Sequence, residues 1–340
     1  MRVLLLGGAG YIGAHVTHAI MDRGFEPAVY DNLSSGLREN IPSGVEFFEG
    51  DISDRRFLAE VLRRGWDGVV HLAAYKAAGE SMELPGKYAL NNICGSLGVI
   101  DEAVKAGVRG FVLSSSAAIY GEPEYLPIDE QHPAKPENYY GFTKLQIERN
   151  LEWFDKLEGL RYASLRYFNA AGYDPDARVT GLEKNPANLI PVVMETALGK
   201  REVLAVFGND YPTVDGTGVR DYIHVTDLAE AHVSALEYIL EHDESLTVNL
   251  GSESGLSVFQ ILEAARRISG REIPAKVHPR RAGDPAQLVA SSMKARDLLG
   301  WEAKHSSLDS IIETTWNVYE RAFRGEAFNE HAFPGQDSDS

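Results

Sequence analysis

A short apolar run, Val3–Leu6, passes directly into Gly7-Gly8-Ala9-Gly10-Tyr11-Ile12-Gly13 and then into Ala14–Arg23, whose apolar residues recur at helical spacing. A buried strand that turns through glycines into a helix gathers unpaired backbone N–H groups and the positive end of a helix dipole at one point. That point is a ready seat for a pyrophosphate. Gly7 permits the tight turn, Gly10 lets a phosphate approach the backbone, and Gly13 lets the helix pack on its strand. The spacing departs from the commonest dinucleotide fingerprint, and alone it says little more than strand, loop, helix. Asp31 adds weight. It ends the next strand-like run, Ala28–Tyr30, 18 residues after Gly13, where such folds place the acid that hydrogen-bonds the adenosine ribose. Its negative charge repels a ribose phosphate, so NAD is favoured over NADP.

Down to about residue 165 strands and helices alternate. Strand patterns fall at Arg2–Leu6, Ala28–Tyr30, Val45–Glu49, Gly68–His71, Gly110–Ser114 and Arg161–Arg166, and helical patterns at Ala14–Arg23, Arg55–Arg63, Asn92–Ala106 and Tyr140–Lys156. This order predicts an α/β fold, a Rossmann-type doubly wound parallel sheet whose ligands gather at the carboxyl ends of the strands. Those ends carry Asp31, Asp51-Ile52, Leu72-Ala73-Ala74 with Lys76, and Ser114-Ser115-Ser116. Beyond Tyr167 the alternation breaks into a Pro- and Gly-rich region that includes Asn209–Gly218. It predicts a smaller mixed C-terminal lobe, with helices near Pro191–Leu198, Val225–Leu240, Val258–Ser269, Met293–Leu298 and Ser307–Phe323. Strand-like runs at Asp221–Val225 and Thr247–Leu250 suggest that the chain returns to the first lobe within residues 221–250. The expected division is 1–168 for the dinucleotide, 169–330 mainly for the substrate, and 331–340 as a polar tail.

Tyr140 and Lys144 stand four residues apart, on one face of a predicted helix, and Ser116 lies 24 residues upstream at a strand end. Such a set can turn a phenol into a base. Working near neutral pH requires the tyrosine to drop by roughly 2–3 pKa units, about 3–4 kcal/mol of preference for the phenolate. A neighbouring ammonium and a positive nicotinamide ring can supply it. A tyrosine and a lysine four apart are commonly just a solvated helix face; the glycine turn, Asp31 and Ser116 are what give the pair meaning.

These residues together resemble the extended short-chain dehydrogenase/reductases, and within them the UDP-glucose 4-epimerase family. The resemblance runs through Gly7–Gly13, Tyr30–Leu33, Gly50–Ile52, His71–Ser81, Asn91-Asn92, Ser114–Tyr120, Tyr140 with Lys144, Arg166–Asn169, Phe207–Val225 and Pro279–Asp284. It implies NAD-dependent 4-epimerisation of a UDP-hexose through a 4-keto sugar, with Tyr140 as base and Ser116 and Lys144 as its partners. For the cofactor it implies Gly7, Gly10, Tyr11, Ile12, Gly13, Asp31, Asn32, Asp51, Ile52, Leu72, Ala73, Ala74, Lys76, Asn91, Ser114, Tyr140, Lys144 and Tyr167. Leu72 stands where the family more usually has phenylalanine. For the UDP-sugar it implies Lys76, Ser116, Tyr140, Asn169, Asn188, Leu189, Leu204, Val206, Phe207, Arg220, Arg281, Asp284 and Leu288. Arg220 and Arg281 suit a diphosphate, Phe207 a uracil ring and Asp284 ribose hydroxyls. Leu288 replaces a bulkier tyrosine of some members, which leaves room for UDP-GlcNAc and UDP-GalNAc or merely repacks the wall; UDP-pentoses and UDP-uronic acids stay open.

Other readings are weaker. A nucleotide-sugar 4,6-dehydratase needs an acid and a base beside the serine, and Ala117-Ala118 cannot move protons. A non-catalytic nucleotide sensor need not keep Ser116, Tyr140 and Lys144 together. The formal charge of −17 argues against nucleic-acid partners, and no apolar run approaches the length of a membrane span. One cysteine, Cys94, excludes an intrachain disulfide and suits the cytoplasm. No metal is expected. The resemblance also implies a homodimer through the helices Asn92–Ala106 and Tyr140–Lys156, where Ile93, Leu97, Ile100 and Val104 form an apolar stripe that could equally be core.

Overall fold

The computed structural model describes residues 1–183, 186–281 and 284–325. Its first half lays down β1 (Arg2–Leu6), α1 (Tyr11–Asp22), β2 (Glu26–Asp31), β3 (Glu46–Glu49), α2 (Arg55–Leu62) and β4 (Gly68–His71), then the short α3 (Ala78–Glu83) and α4 (Pro85–Tyr88). A π-helical turn over Ala89–Gly95 leads into α5 (Ser96–Lys105), followed by β5 (Gly110–Ser114), α6 (Tyr139–Glu158) and β6 (Arg161–Tyr167). The second half holds β7 (Asn169–Ala171), α7 (Leu189–Ala197), β8 (Leu204–Phe207), β9 (Val219–His224), α8 (Val225–His242) and β10 (Leu246–Leu250). It ends with β11 (Gly255–Ser257), α9 (Val258–Ser269), β12 (Ala275–His278), β13 (Gln287–Leu288), α10 (Met293–Leu299) and α11 (Leu308–Arg324).

Seven parallel strands make the main sheet in the order β10-β6-β5-β4-β1-β2-β3. The order reverses between β1 and β4, so a crevice opens where β1 and β4 end, the usual dinucleotide seat of such sheets. The central strands β1, β4 and β5 are buried almost end to end because both faces are covered. α1 and α8 close one face, burying Val16, Ile20, Leu228 and Leu236 against Val3, Leu5 and Val112. α2, α5 and α6 close the other, with Leu58, Ile100, Ile147 and Leu151 against Leu4, Leu6 and Phe111. Each such aliphatic side chain contributes about 1.5–3 kcal/mol on burial.

The smaller lobe has its own core, in which α7, α9 and α11 pack on β8 through Met194, Leu204, Ile261 and Trp316. Its strands form a set built on β9, which pairs with β7, β11 and β13, and a separate β8–β12 pair. Of the two strand-like runs expected to rejoin the first lobe, β10 does, beside β6, whereas β9 belongs to the smaller lobe. The Met293 helix, expected in the smaller lobe, instead sends Ala295 into the main core beside Trp301. The expected helix Asn92–Ala106 is interrupted by the π-helical turn, and its stripe divides: Ile100 is core, Val104 packs on that core, and Ile93 and Leu97 are half-buried. The expected polar tail, 331–340, lies outside the described residues.

Candidate functional site

A cleft of about 260 Å³ follows the carboxyl ends of β1, β2 and β4. Its floor is the glycine turn. Gly7 has φ +86°, a conformation that favours glycine, and a Cβ there would lie 2.8 Å from the Ala73 nitrogen; a Cβ on Gly13 would collide with the Gly7 carbonyl. No side chain caps α1, and Gly10, Tyr11, Ile12 and Gly13 all line the cleft. The first turn of the helix therefore keeps its amides for an anion.

At the adenosine end, the Asp31 carboxylate accepts from the Ala9 and Leu33 amides at 3.0 and 2.8 Å. Burial pushes this carboxyl up and the two amide bonds oppose it. Asp51 accepts from the Ser53 amide and hydroxyl and, at 2.6 Å, from the Asn32 amide, and its carboxyl is held low chiefly by the Ser53 hydroxyl. Tyr30 donates to the Asp51 carbonyl at 2.8 Å, which fixes the turn that carries Ile52. The glycine cradle, Asp31 and the length of the cleft fit an NAD-type dinucleotide, with the diphosphate on α1 and the adenosine toward Asp31 and Ile52.

At the other end the chemistry collects. Asn138 caps α6 by accepting from the Gly141 amide at 2.8 Å, so Tyr140 and Lys144 occupy its first turns. A Cβ on Gly141 would collide with the Ala118 carbonyl. That glycine is what lets the helix approach the turn after β5, and the approach sets the Ser116 hydroxyl beside the Tyr140 phenol. Ser116 Oγ also accepts from the Ala118 amide at 3.1 Å. Lys144 is 3% exposed; its Nζ lies 6.0 Å from the Tyr140 ring centre and donates to the Ser114 carbonyl at 2.7 Å. Burial pulls that ammonium down to about 8, with the Glu148 carboxylate pushing back. The Tyr140 phenol moves against expectation: burial raises it and the Ser116 bond only opposes this, so the protein alone does not make the phenolate. Beneath, Ser114 Oγ donates to His232 Nε2 at 2.7 Å, because His232 Nδ1 is committed to the Leu228 carbonyl, and burial raises the neighbouring Tyr167 phenol.

The cleft gathers sixteen of the eighteen expected cofactor residues; Asp51 lies behind Asn32 and Ser114 beneath the floor. It also includes Ser34, Ser35, Tyr75 and Glu183, which the motifs did not reveal. Lys76 pairs with Glu183 across its mouth.

On the smaller lobe, Arg220 Nη2 bonds Asp284 at 2.8 Å, and the Arg281 guanidinium stacks on Phe207 at 3.8 Å. Asn169 Nδ2 donates to the Asp221 carbonyl at 3.1 Å, while Asn188 and Leu189 begin α7. Leu204 and Val206 are each 1% exposed, with their side chains in the lobe core. Leu288 packs against Ile119, Tyr120, Ile128 and Leu145, next to the turn that follows Ser116.

The fold and the site define a Rossmann-type dinucleotide enzyme with a serine, a tyrosine and a lysine gathered at one end of its cleft and a lobe that offers cations and an aromatic ring. Residues 3–251 match the model of the NAD dependent epimerase/dehydratase family. The chain belongs to that family. It is 45% identical over 322 residues to the UDP-glucose 4-epimerase of Lacticaseibacillus casei, covering 94% of this chain and 97% of that one. The structure of the Brucella ovis UDP-glucose 4-epimerase in complex with NAD superposes with a TM-score of 0.91 at 42% identity, covering 94% and 98% of the two chains. The Stenotrophomonas maltophila enzyme with bound NAD and formylated UDP-arabinopyranose superposes at 0.92 and 37%, covering 96% and 99%.

Proposed function

We propose that the protein is an NAD-dependent 4-epimerase of UDP-hexoses, interconverting UDP-glucose and UDP-galactose. The observation that carries this reading is the placement of Tyr140 at the end of a glycine-floored dinucleotide cleft, with the Ser116 hydroxyl beside it and buried Lys144 one turn along α6. When bound, NAD supplies the oxidation and re-reduction at sugar C4 and a cationic ring beside the phenol. Gly7, Gly10 and Gly13 seat its diphosphate, Asp31 its ribose, and Ile52, Leu72, Ala73 and Asn91 its remaining surface.

Tyr140 Oη takes the proton of the sugar 4-hydroxyl and later returns it, while Ser116 holds the same hydroxyl in line. Lys144 keeps positive charge near the phenolate. Arg220 and Arg281 grip the diphosphate, Phe207 stacks on the base and Asp284 receives ribose hydroxyls once it exchanges its bond to Arg220. Clamping the nucleotide and leaving the sugar loose lets the 4-keto ring present its other face, which inverts C4. Residues 1–168, with β10 and α8, hold the cofactor, and the remainder mainly the UDP-sugar.

Leu288 beside the Ser116 turn leaves room at the sugar's 2-substituent, so UDP-GlcNAc is a second substrate in this reading. Support for a tolerant sugar pocket comes from the formylated UDP-arabinopyranose held by the Stenotrophomonas maltophila relative. The protein acts in the cytoplasm; among the described residues no helix is long and apolar enough to cross a membrane. It works as a homodimer through the outer face of α6, where Trp153 and Leu157 are 60% and 71% exposed one turn apart. A Trp153→Glu/Leu157→Glu variant is then monomeric by light scattering.

NMR of the purified protein with UDP-glucose tests the activity: UDP-galactose appears if the reading holds, and an unchanged spectrum with NAD-loaded protein overturns it. UDP-GlcNAc in a parallel tube tests the wider pocket.

A further inference from the structure

Glu148 follows Lys144 by four residues, on the same face of α6, and neither the glycine turn nor the tyrosine–lysine spacing accounts for it. It is 3% exposed. Its carboxylate is fully engaged: Oε2 accepts from Arg166 Nη2 at 2.6 Å, and Oε1 from Arg166 Nε at 3.1 Å and from the Ser115 hydroxyl at 2.5 Å. Arg166 is oriented in turn by its bond to Tyr120 at 3.0 Å, and Tyr120 donates to Asn249 at 2.6 Å. An isolated buried carboxylate is costly, but this one has a cation and a hydroxyl fixed on it.

Lys144 is the less satisfied group. A buried ammonium has three donors, and among the described residues its Nζ donates one hydrogen bond, to the Ser114 carbonyl. The groups packed around it offer little else. From β4 comes His71, neutral because burial holds it near 3; through Ser114 from α8 comes His232, held near 4. Tyr140 on its own helix and Tyr167 from β6 are uncharged phenols that burial raises. Arg166 from β6 is a cation already committed to Glu148. Among the described residues Glu148 is the one carboxylate whose field acts on Lys144.

We propose that Glu148, locked by Arg166 and Ser115, is a positioning residue for proton transfer, its carboxylate keeping the Lys144 ammonium charged beside Tyr140. The proposal rests on the reading of Tyr140 as the base. A staple between α6 and β6 alone would affect only stability. A charge that supports Lys144 also moves the pH at which that lysine stops helping the phenol.

The test uses the NAD-loaded protein. The pH profile of kcat is recorded for the parent, Glu148→Gln, Glu148→Asp and Glu148→Met/Arg166→Met, the last leaving no unpaired charge behind. An ultraviolet difference titration, with Tyr140→Phe as baseline, reads the phenol directly. Loss of the carboxylate charge is expected to move the alkaline limb down by about one pH unit in Glu148→Gln, and by less in the double variant, which also loses the opposing Arg166 cation, with KM within about twofold. The Tyr140 phenolate should appear at higher pH in Glu148→Gln, and Glu148→Asp should follow the parent. An unmoved limb in Glu148→Gln that folds and holds NAD overturns the proposal. So does folding of Glu148→Asp when both charge-removed variants fail to fold, which leaves Glu148 a purely structural part. Full activity in Tyr140→Phe would instead overturn the assignment of the base.

Discussion

Tyr140 and Lys144 share one face of α6, and the lysine's hydrogen bond goes elsewhere: its Nζ lies 6.0 Å from the phenol's ring centre and donates to the Ser114 carbonyl at 2.7 Å. Its influence on the tyrosine is that of a nearby charge, and the Ser116 hydroxyl beside the phenol favours the phenolate. Tyr140→Phe removes the hydroxyl assigned as the base for the sugar 4-hydroxyl. The expected outcome is a loss of about 10²–10⁴-fold in kcat with NAD content unchanged, read by coupled assay and by absorbance of the extracted cofactor.

Arg220 is a second handle. Its guanidinium is held by Asp284 at 2.8 Å. Arg220→Met removes a charge-assisted contact to the diphosphate without touching the dinucleotide cleft. KM for the UDP-sugar is expected to rise by about 10–100-fold with kcat within about threefold. A KM that stays put in steady-state kinetics would remove Arg220 from the site.

Leu288 separates substrates by size. Leu288→Tyr places a ring next to Ile119 and the Ser116 turn. Turnover of UDP-GlcNAc is expected to fall at least about tenfold relative to UDP-glucose, the scale of a single pocket contact. Equal losses for both sugars would mean that the position only packs the wall.

Four buried histidines set the acid limit of the fold. Burial pulls His15 and His232 to about 4, and His71 and His224 to about 3. His15 is fixed as a neutral tautomer, Nδ1 donating to the Tyr11 carbonyl while Nε2 accepts from the Asp174 amide at 3.0 Å. The unfolded chain takes up protons near pH 6.5 and the folded chain does not, so this contribution to stability is complete above about pH 6.5 and is lost as pH falls toward 4. For a shift like that of His15 it is on the order of 3 kcal/mol. Urea unfolding at about pH 7 and about pH 5 should show a large drop, and His15→Gln should make it smaller.

The cofactor half of the site was legible because it is local. Gly7, Gly10 and Gly13 sit in one turn, Asp31 ends the next strand, and Tyr140 and Lys144 lie one helical turn apart. Periodicity predicted most helices and strands of the first lobe for the same reason. What escaped depends on distant partners or on backbone detail. The role of Gly141 appears only against the Ala118 carbonyl, Glu183 reaches the cleft from another lobe, and Glu148 gains meaning from Arg166 on a neighbouring strand. The π-helical turn at Ala89–Gly95 carries an ordinary helical apolar spacing, so periodicity reads straight through it. Leu204 and Val206 lie just before the Phe207–Val225 motif, and strand alternation sends their side chains into the core.

The central claim is that the hydrogen on sugar C4 leaves and returns within one enclosed site, while only the hydroxyl proton passes through Tyr140. NAD-loaded protein incubated with UDP-glucose in deuterium oxide tests it directly by NMR. The account predicts that UDP-galactose forms and that both epimers keep their original hydrogen at C4. Deuterium at C4, or no epimer at all, would contradict it.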